Sequence, residues 1–115
     1  MNSFIRVLIF LNICFFSSLT AQDFAKQFRD AKDLFATEKY SQSMTAFKPL
    51  MVYSAGNIYS EYAAFYYAVS AYHLNYKTVA RQGFQNILSA YGNWPQLDEV
   101  KYWLAKIYFE EKIVV

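Results

Sequence analysis

Between Ser60 and Tyr76 the chain reads SEYAAFYYAVSAYHLNY, where Ala64, Ala68 and Ala71 form a small-residue spine between large aromatics at helical spacing. Apolar residues recurring every three to four positions predict one tightly packed helix. The arrangement returns 37 residues to either side, at Ala31 and Ala105. Three residues before each of these three alanines stands Phe28, Phe65 or Tyr102, and four after it stands Phe35, Tyr72 or Phe109. A fixed period of this size with a helical pattern inside it predicts a helical repeat architecture, in which each unit buries its apolar face on the next.

Taken in order, Asp23 to about Ala36 carries Phe24, Phe28, Ala31, Leu34 and Phe35 against a charged face of Lys26, Arg29, Asp30, Lys32 and Asp33, which predicts an amphipathic helix. Thr37 to Tyr40 reads as a turn, and Ser41 as the cap of a second helix through Tyr53 that buries Met44, Phe47, Leu50 and Met51. Pro49 inside that span predicts a bend or an early stop. Gly56-Asn57 breaks the chain, and the central helix starts at Ile58 or Tyr59 and ends between His73 and Asn75. A partner helix follows from about Lys77 to Tyr91, with Ala80, Phe84, Ile87 and Leu88 on one face and Gly83 on the same side allowing a neighbour to approach closely. Gly92-Asn93-Trp94-Pro95 closes the unit. The last helix is expected from Gln96 or Leu97 to Glu110, with Asp98 and Glu99 favourably placed in its first turn. The partner helix of a third unit would begin near Lys112 to Val115 and is missing.

Composition changes the picture at the N-terminus. Val7 to Phe16 is almost continuously apolar after a single positive charge at Arg6, and Ser17 to Ala21 is mostly small and polar. That is the form of a cleavable signal peptide over residues 1–21, its apolar core about half the roughly 20 residues that span a bilayer. An alternative makes Cys14 the lipid-bearing residue of an exported lipoprotein. Removing residues 1–21 removes Cys14, the only cysteine, and leaves ten Lys and Arg against nine Asp and Glu. The remaining domain, residues 22–115, therefore has no thiol chemistry and no charge excess with which to hold nucleic-acid phosphates.

These residues resemble the tetratricopeptide repeat family. Ala31, Ala68 and Ala105 stand where that family places the small residue of its first helix, Ser43 and Ala80 where it places the small residue of its second, and Phe47 and Phe84 follow at the aromatic position. Tyr102-Trp103-Leu104-Ala105-Lys106-Ile107-Tyr108-Phe109, preceded by a Trp-Pro turn, is most similar to exported bacterial cell-envelope members. The period of 37 differs from the family's usual 34, and Asp30 stands where an apolar residue is typical. The resemblance implies an all-α solenoid of helical hairpins with about two and a half units, near residues 24–57, 58–94 and an incomplete 95–115.

Candidate chemistry is sparse. His73 is the sole histidine and reads as a cap or packing residue, while Asp98-Glu99 and Glu110-Glu111 read as solvated pairs whose side chains diverge. No enzymatic activity, cofactor or metal is expected. Two surfaces remain. The family's geometry projects Phe28, Phe65 and Tyr102 in one row of a concave groove and Phe35, Tyr72 and Phe109 in another, with Lys32, Val69 and Lys106 between. Such a groove suits an extended or helical peptide of acidic character, unless the rings simply fill the space between helices. The last helix is expected to leave Trp103, Leu104, Ile107 and Tyr108 bare, and ~300 Å² of such surface left wet forgoes roughly 7 kcal/mol. A second copy, another protein or further chain would cover it. The expected role is an exported protein-binding scaffold of the periplasm or the periplasmic face of the outer membrane, with no transmembrane segment after cleavage and an unidentified protein or peptide partner. The other reading is the N-terminal recognition module of a longer envelope protein whose solute-binding, peptidoglycan-related or regulatory domain follows.

Overall fold

A computed structural model describes residues 23–113; the leader reading of residues 1–21, including Cys14, falls outside them. Every regular element among the described residues is helical: α1 over residues 23–36, α2 Tyr40–Phe47, a 3₁₀ turn Lys48–Met51, α3 Ser60–His73, α4 Lys77–Ala90 and α5 Leu97–Ile113. No helix among them is long and apolar enough to cross a membrane.

The element ends follow from local chemistry. A helix running through to Tyr53 would place the Pro49 ring against the Thr45 carbonyl, so α2 stops at Phe47 and the proline enters the first turn of the 3₁₀ segment, where its missing N–H costs nothing. The expected cap at Ser41 is not formed: Lys39 precedes the first helical residue and no side chain caps it. The α1/α2 and α3/α4 connections are one turn built twice. Glu38 and Asn75 take left-handed backbone at φ 59° and 64°. Lys39 N–H donates to Leu34 O and Tyr76 N–H to Ala71 O, both at 2.9 Å, while Glu38 N–H reaches Phe35 O at 3.0 Å and Asn75 N–H reaches Tyr72 O at 2.9 Å. Both helices thus close with the paired bonds that satisfy their last carbonyls, at positions 37 apart and without glycine.

The longer α2/α3 connection depends on Asn57, which the sequence presents only as part of a chain break. Buried to 6 % exposure, it donates through Nδ2 to Leu50 O (2.9 Å) and Val52 O (3.1 Å) and accepts from Tyr59 N–H (3.0 Å). It joins the end of the 3₁₀ turn to the start of α3, while Gly56 beside it supplies the φ of 84° that turns the chain. Asn57→Ala leaves the buried Leu50 carbonyl and the part-buried Val52 carbonyl without a side-chain donor and is expected to lower stability by about 2 kcal/mol, read as a lowered midpoint in a thermal melt followed by circular dichroism.

Two apolar clusters share α3. Ala31, Phe47, Leu50 and Ala63 form one, drawn from α1, α2, the 3₁₀ turn and one side of α3. Phe65, Ala68, Val69 and Ala71 from its other side join Ala80, Phe84 and Ile87 of α4 and Val100, Leu104 and Ile107 of α5 in the second. The buried residues repeat: Ala31 and Ala68, Phe47 and Phe84, Leu50 and Ile87 are pairs 37 apart and all are buried. Within the α3/α4 hairpin the helices cross at Ala68 and Gly83, where a Cβ on the glycine would lie 3.1 Å from the alanine Cβ. Ser43 and Ser70, both fully buried, hydrogen bond across α2 and α3 at 3.1 Å.

The last helix departs from expectation at both its end and its bare face. It continues through Glu110 to Ile113, so Lys112 and Ile113 extend α5 rather than starting a new helix. Leu104 and Ile107, expected on the open side, are 6 % and 0 % exposed. They occupy the positions that Tyr67 and Ser70 hold one period earlier in α3. In both helices that side turns back toward the preceding hairpin: Tyr67 packs on the first cluster and Ser70 bonds to α2, as Leu104 and Ile107 enter the second cluster. Trp103 is likewise half-buried, stacked over Phe84 at 6.3 Å, and of the expected face only Tyr108 is open.

Candidate aromatic interface between helices

Aromatic side chains connect α1 to α3 and α3 to α5. Phe28 of α1 stacks on Tyr59 at 4.6 Å and meets Tyr62 and Tyr66 of α3 at 6.4 and 6.3 Å, while Phe35 meets Tyr66 edge-on at 5.0 Å. At the next junction Tyr72 of α3 meets Trp103 of α5 edge-on at 5.0 Å, and His73 lies 5.9 Å from the same indole. Tyr66 and Trp103 are 37 apart and hold the same place in the two junctions.

A lysine lies over each ring pair. Lys32 Nζ is 5.9 Å from the Phe28 centroid and 5.7 Å from that of Tyr66; Lys106 Nζ is 5.4 Å from both Tyr72 and Trp103. Each ammonium is drawn to the electron-rich ring faces and keeps part of its surface in water, so each junction pairs a cation with an amphipathic aromatic wall. Toward the start of α3 and α5 the wall opens into a cleft of about 140 Å³ lined by Tyr62, Phe65, Tyr66, Trp94, Gln96 and Glu99.

The two projected rows are not assembled. Phe28 and Phe35 are half-buried in the α1/α3 junction, but Phe65 and Val69 are buried in the core, at 8 % and 3 % exposure. Tyr72 is half-buried, and Tyr102 and Phe109 are exposed on a different side of α5 from Trp103. The reason is helical phase. Positions three before and four after each spine alanine share the alanine's own face, and in α3 that face turns into its hairpin toward α4. The surface between the first helices of successive hairpins is supplied from about 100° further round, by Tyr62, Tyr66 and His73 on α3 and by Trp103 and Lys106 on α5. A spacing of i, i+4 and i+11 across Tyr62, Tyr66 and His73 was the available signal, hidden because α3 is apolar on nearly every side.

The α3/α5 junction is also tied by polar bonds. The Tyr72 hydroxyl donates to Glu110, whose carboxylate also lies 3.5 Å from Lys77 Nζ, and Arg81 pairs with Glu111. Glu110 and Glu111 are therefore half-buried partners of α3 and α4 rather than the solvated pair the sequence suggests; Asp98 and Glu99 are exposed as expected. The hydrogen bond from Tyr72 holds the Glu110 carboxyl below its ordinary range against some desolvation, and Lys77 and Lys106 add to this. Burial, then the bond to Glu110 and its charge, pushes the Tyr72 phenol up to about 12, which keeps it a neutral donor.

His73 stacks face to face on Tyr40 at 4.4 Å and 14°, bridging the end of α3 to the start of α2. Among the described residues no three His, Cys, Asp or Glu side chains converge on a metal position. Compared with known proteins, the chain matches no family model, no curated protein and no solved structure.

Proposed function

We propose that this chain is an exported tetratricopeptide-like scaffold of the bacterial cell envelope that binds a protein or peptide segment of acidic character across the face between α1, α3 and α5. The pair of lysines, each set over rings at a helix junction, carries this reading: such a surface offers apolar area for side chains and two cations for carboxylates at once. The identical hairpin turns and the small-on-small crossing at Ala68 and Gly83 support the repeat architecture. Export rests on the leader-like pattern of residues 1–21 and on the lack of cysteine after it, and places the scaffold in the periplasm or at the periplasmic face of the outer membrane. The contact residues assigned are Phe28, Lys32, Tyr62, Tyr66, Trp103 and Lys106, replacing the buried Phe65 and Val69.

Selection from a displayed random-peptide library tests it. Enriched peptides should be rich in Asp and Glu and bind with micromolar affinity, and Lys32→Glu with Lys106→Glu should weaken them at least tenfold while leaving the helical circular dichroism unchanged. Peptides with no acidic bias, or binding indifferent to the double charge reversal, would refute the assignment.

A further inference from the structure

The third copy of the alanine spine is bare. Where Ala31 and Ala68 are fully buried, Ala105 is exposed, and among the described residues none packs over it. Asp98, Lys101, Tyr102, Ala105, Tyr108, Phe109 and Lys112 fall within one stripe about 120° wide on α5, and all seven are exposed. Tyr102, Tyr108 and Phe109 are 60, 46 and 66 % exposed, which amounts to roughly 350 Å² of ring surface on one helix face, the scale at which patches on soluble proteins begin to mark interaction sites.

The order of residues on this stripe identifies what fits it. Counted outward from Ala105, Asp98 and Lys112 stand seven residues away in opposite directions, Lys101 and Phe109 four away, and Tyr102 and Tyr108 three away. Helical phase puts Asp98, Tyr102 and Phe109 on one flank of Ala105 and Lys101, Tyr108 and Lys112 on the other, and an identical helix laid antiparallel across Ala105 brings like flanks together. Asp98 then meets Lys112 near the centre line, Lys101 meets the Tyr108 ring and Tyr102 meets Phe109, each pair made twice, with alanine against alanine on the two-fold axis. Opposite charge meets opposite charge, cation meets ring, and small meets small as Ala68 meets Gly83 inside the molecule. We infer that this face of α5 binds the same face of a second copy, forming an antiparallel two-fold dimer. The contact involves a different side of α5 from the lysine-capped aromatic face and does not depend on the function proposed for that face.

A single helix face per chain falls at the small end of specific interfaces, so a reversible dimer with a dissociation constant on the order of micromolar is expected. Sedimentation equilibrium of the purified chain over a wide concentration range should show monomer and dimer only. Ala105→Glu places two carboxylates on the axis and should weaken the dimer at least tenfold without loss of helical signal. Asp98→Lys alone should weaken it about threefold, and adding Lys112→Asp should restore it, because the swapped pair again joins opposite charges in the antiparallel arrangement. A monomer at every concentration, a dimer indifferent to Ala105→Glu, or a double swap weaker than Asp98→Lys alone would each overturn the assignment. The charge swap decides the question even if the substitution at Ala105 alters folding.

Discussion

Phe84→Ala should lower the free energy of unfolding by about 3–5 kcal/mol, enough to remove much of the stability of a domain of this size. The ring is fully buried in α4, meets Phe65 of α3 at 6.0 Å and stacks beneath Trp103 of α5 at 6.3 Å, so three helices lose a common filler. The cluster that holds the ring includes Ala68, Ala71 and Ala80, side chains too short to fill the space it would leave. Urea unfolding followed by circular dichroism measures the loss as a lowered midpoint with an unchanged slope. Tyr53→Ala, at a ring 86 % exposed, should remain within about 0.5 kcal/mol of the unsubstituted protein, and a comparable loss there would mean that burial is not the cause.

Gly83→Leu is expected to be at least as damaging, from the opposite physical cause. A Cβ at Gly83 already comes within 3.1 Å of Ala68 Cβ, and the remaining atoms of a leucine would have to occupy the body of α3. Separating two helices that share a core costs about 3 kcal/mol or more, and the substitution should abolish a cooperative melt or lower its midpoint sharply. Gly83→Ala is the informative contrast. It brings one methyl into tight contact but gains about 1 kcal/mol of helix propensity, so its net effect should lie within about 1 kcal/mol of zero. Combining it with Ala68→Gly moves the methyl across the crossing, and the double variant should unfold close to the original. Strong destabilisation of that double variant would show that the crossing is not the close contact described.

The positions of the helices could be read from the sequence; their orientations could not. Gly56, Asn75 and the Gly92 to Pro95 segment mark breaks plainly, and the amphipathic patterns fix the end of α1 at residue 36 and both ends of α4, Lys77–Ala90, to within a residue. Pro49 signalled a disturbance in α2, but whether it would kink or end the helix depended on the 3₁₀ turn that could form beyond it. The closeness of Gly83 to a neighbour was legible because glycine in an otherwise good helix pattern needs a packing reason. The aromatic face was misplaced because α3 carries apolar residues all round, so periodicity could not decide which ring meets α4, which meets α1 and which stays at the surface. The open face of α5 was misplaced for a related reason. A repeat period identifies equivalent residues, but which side turns backward and which forward is known only once one hairpin is seen packed on another. Ser43 is legible as the small-residue position equivalent to Ala80, but neither its bond to Ser70 nor the role of Asn57 gives a sequence signal, because their value depends on being buried opposite the right hydroxyl or carbonyl.

The central helix has a consequence beyond packing. Since Ala63 walls one core while Phe65, Ala68 and Val69 wall the other, neither core can loosen without disturbing a surface the other relies on. Two small cores, each marginal by itself, thereby behave as one cooperative unit. A ligand or partner that stabilises α5 on the second core is therefore expected to slow opening of α1 as well, through the α3 surface both cores share.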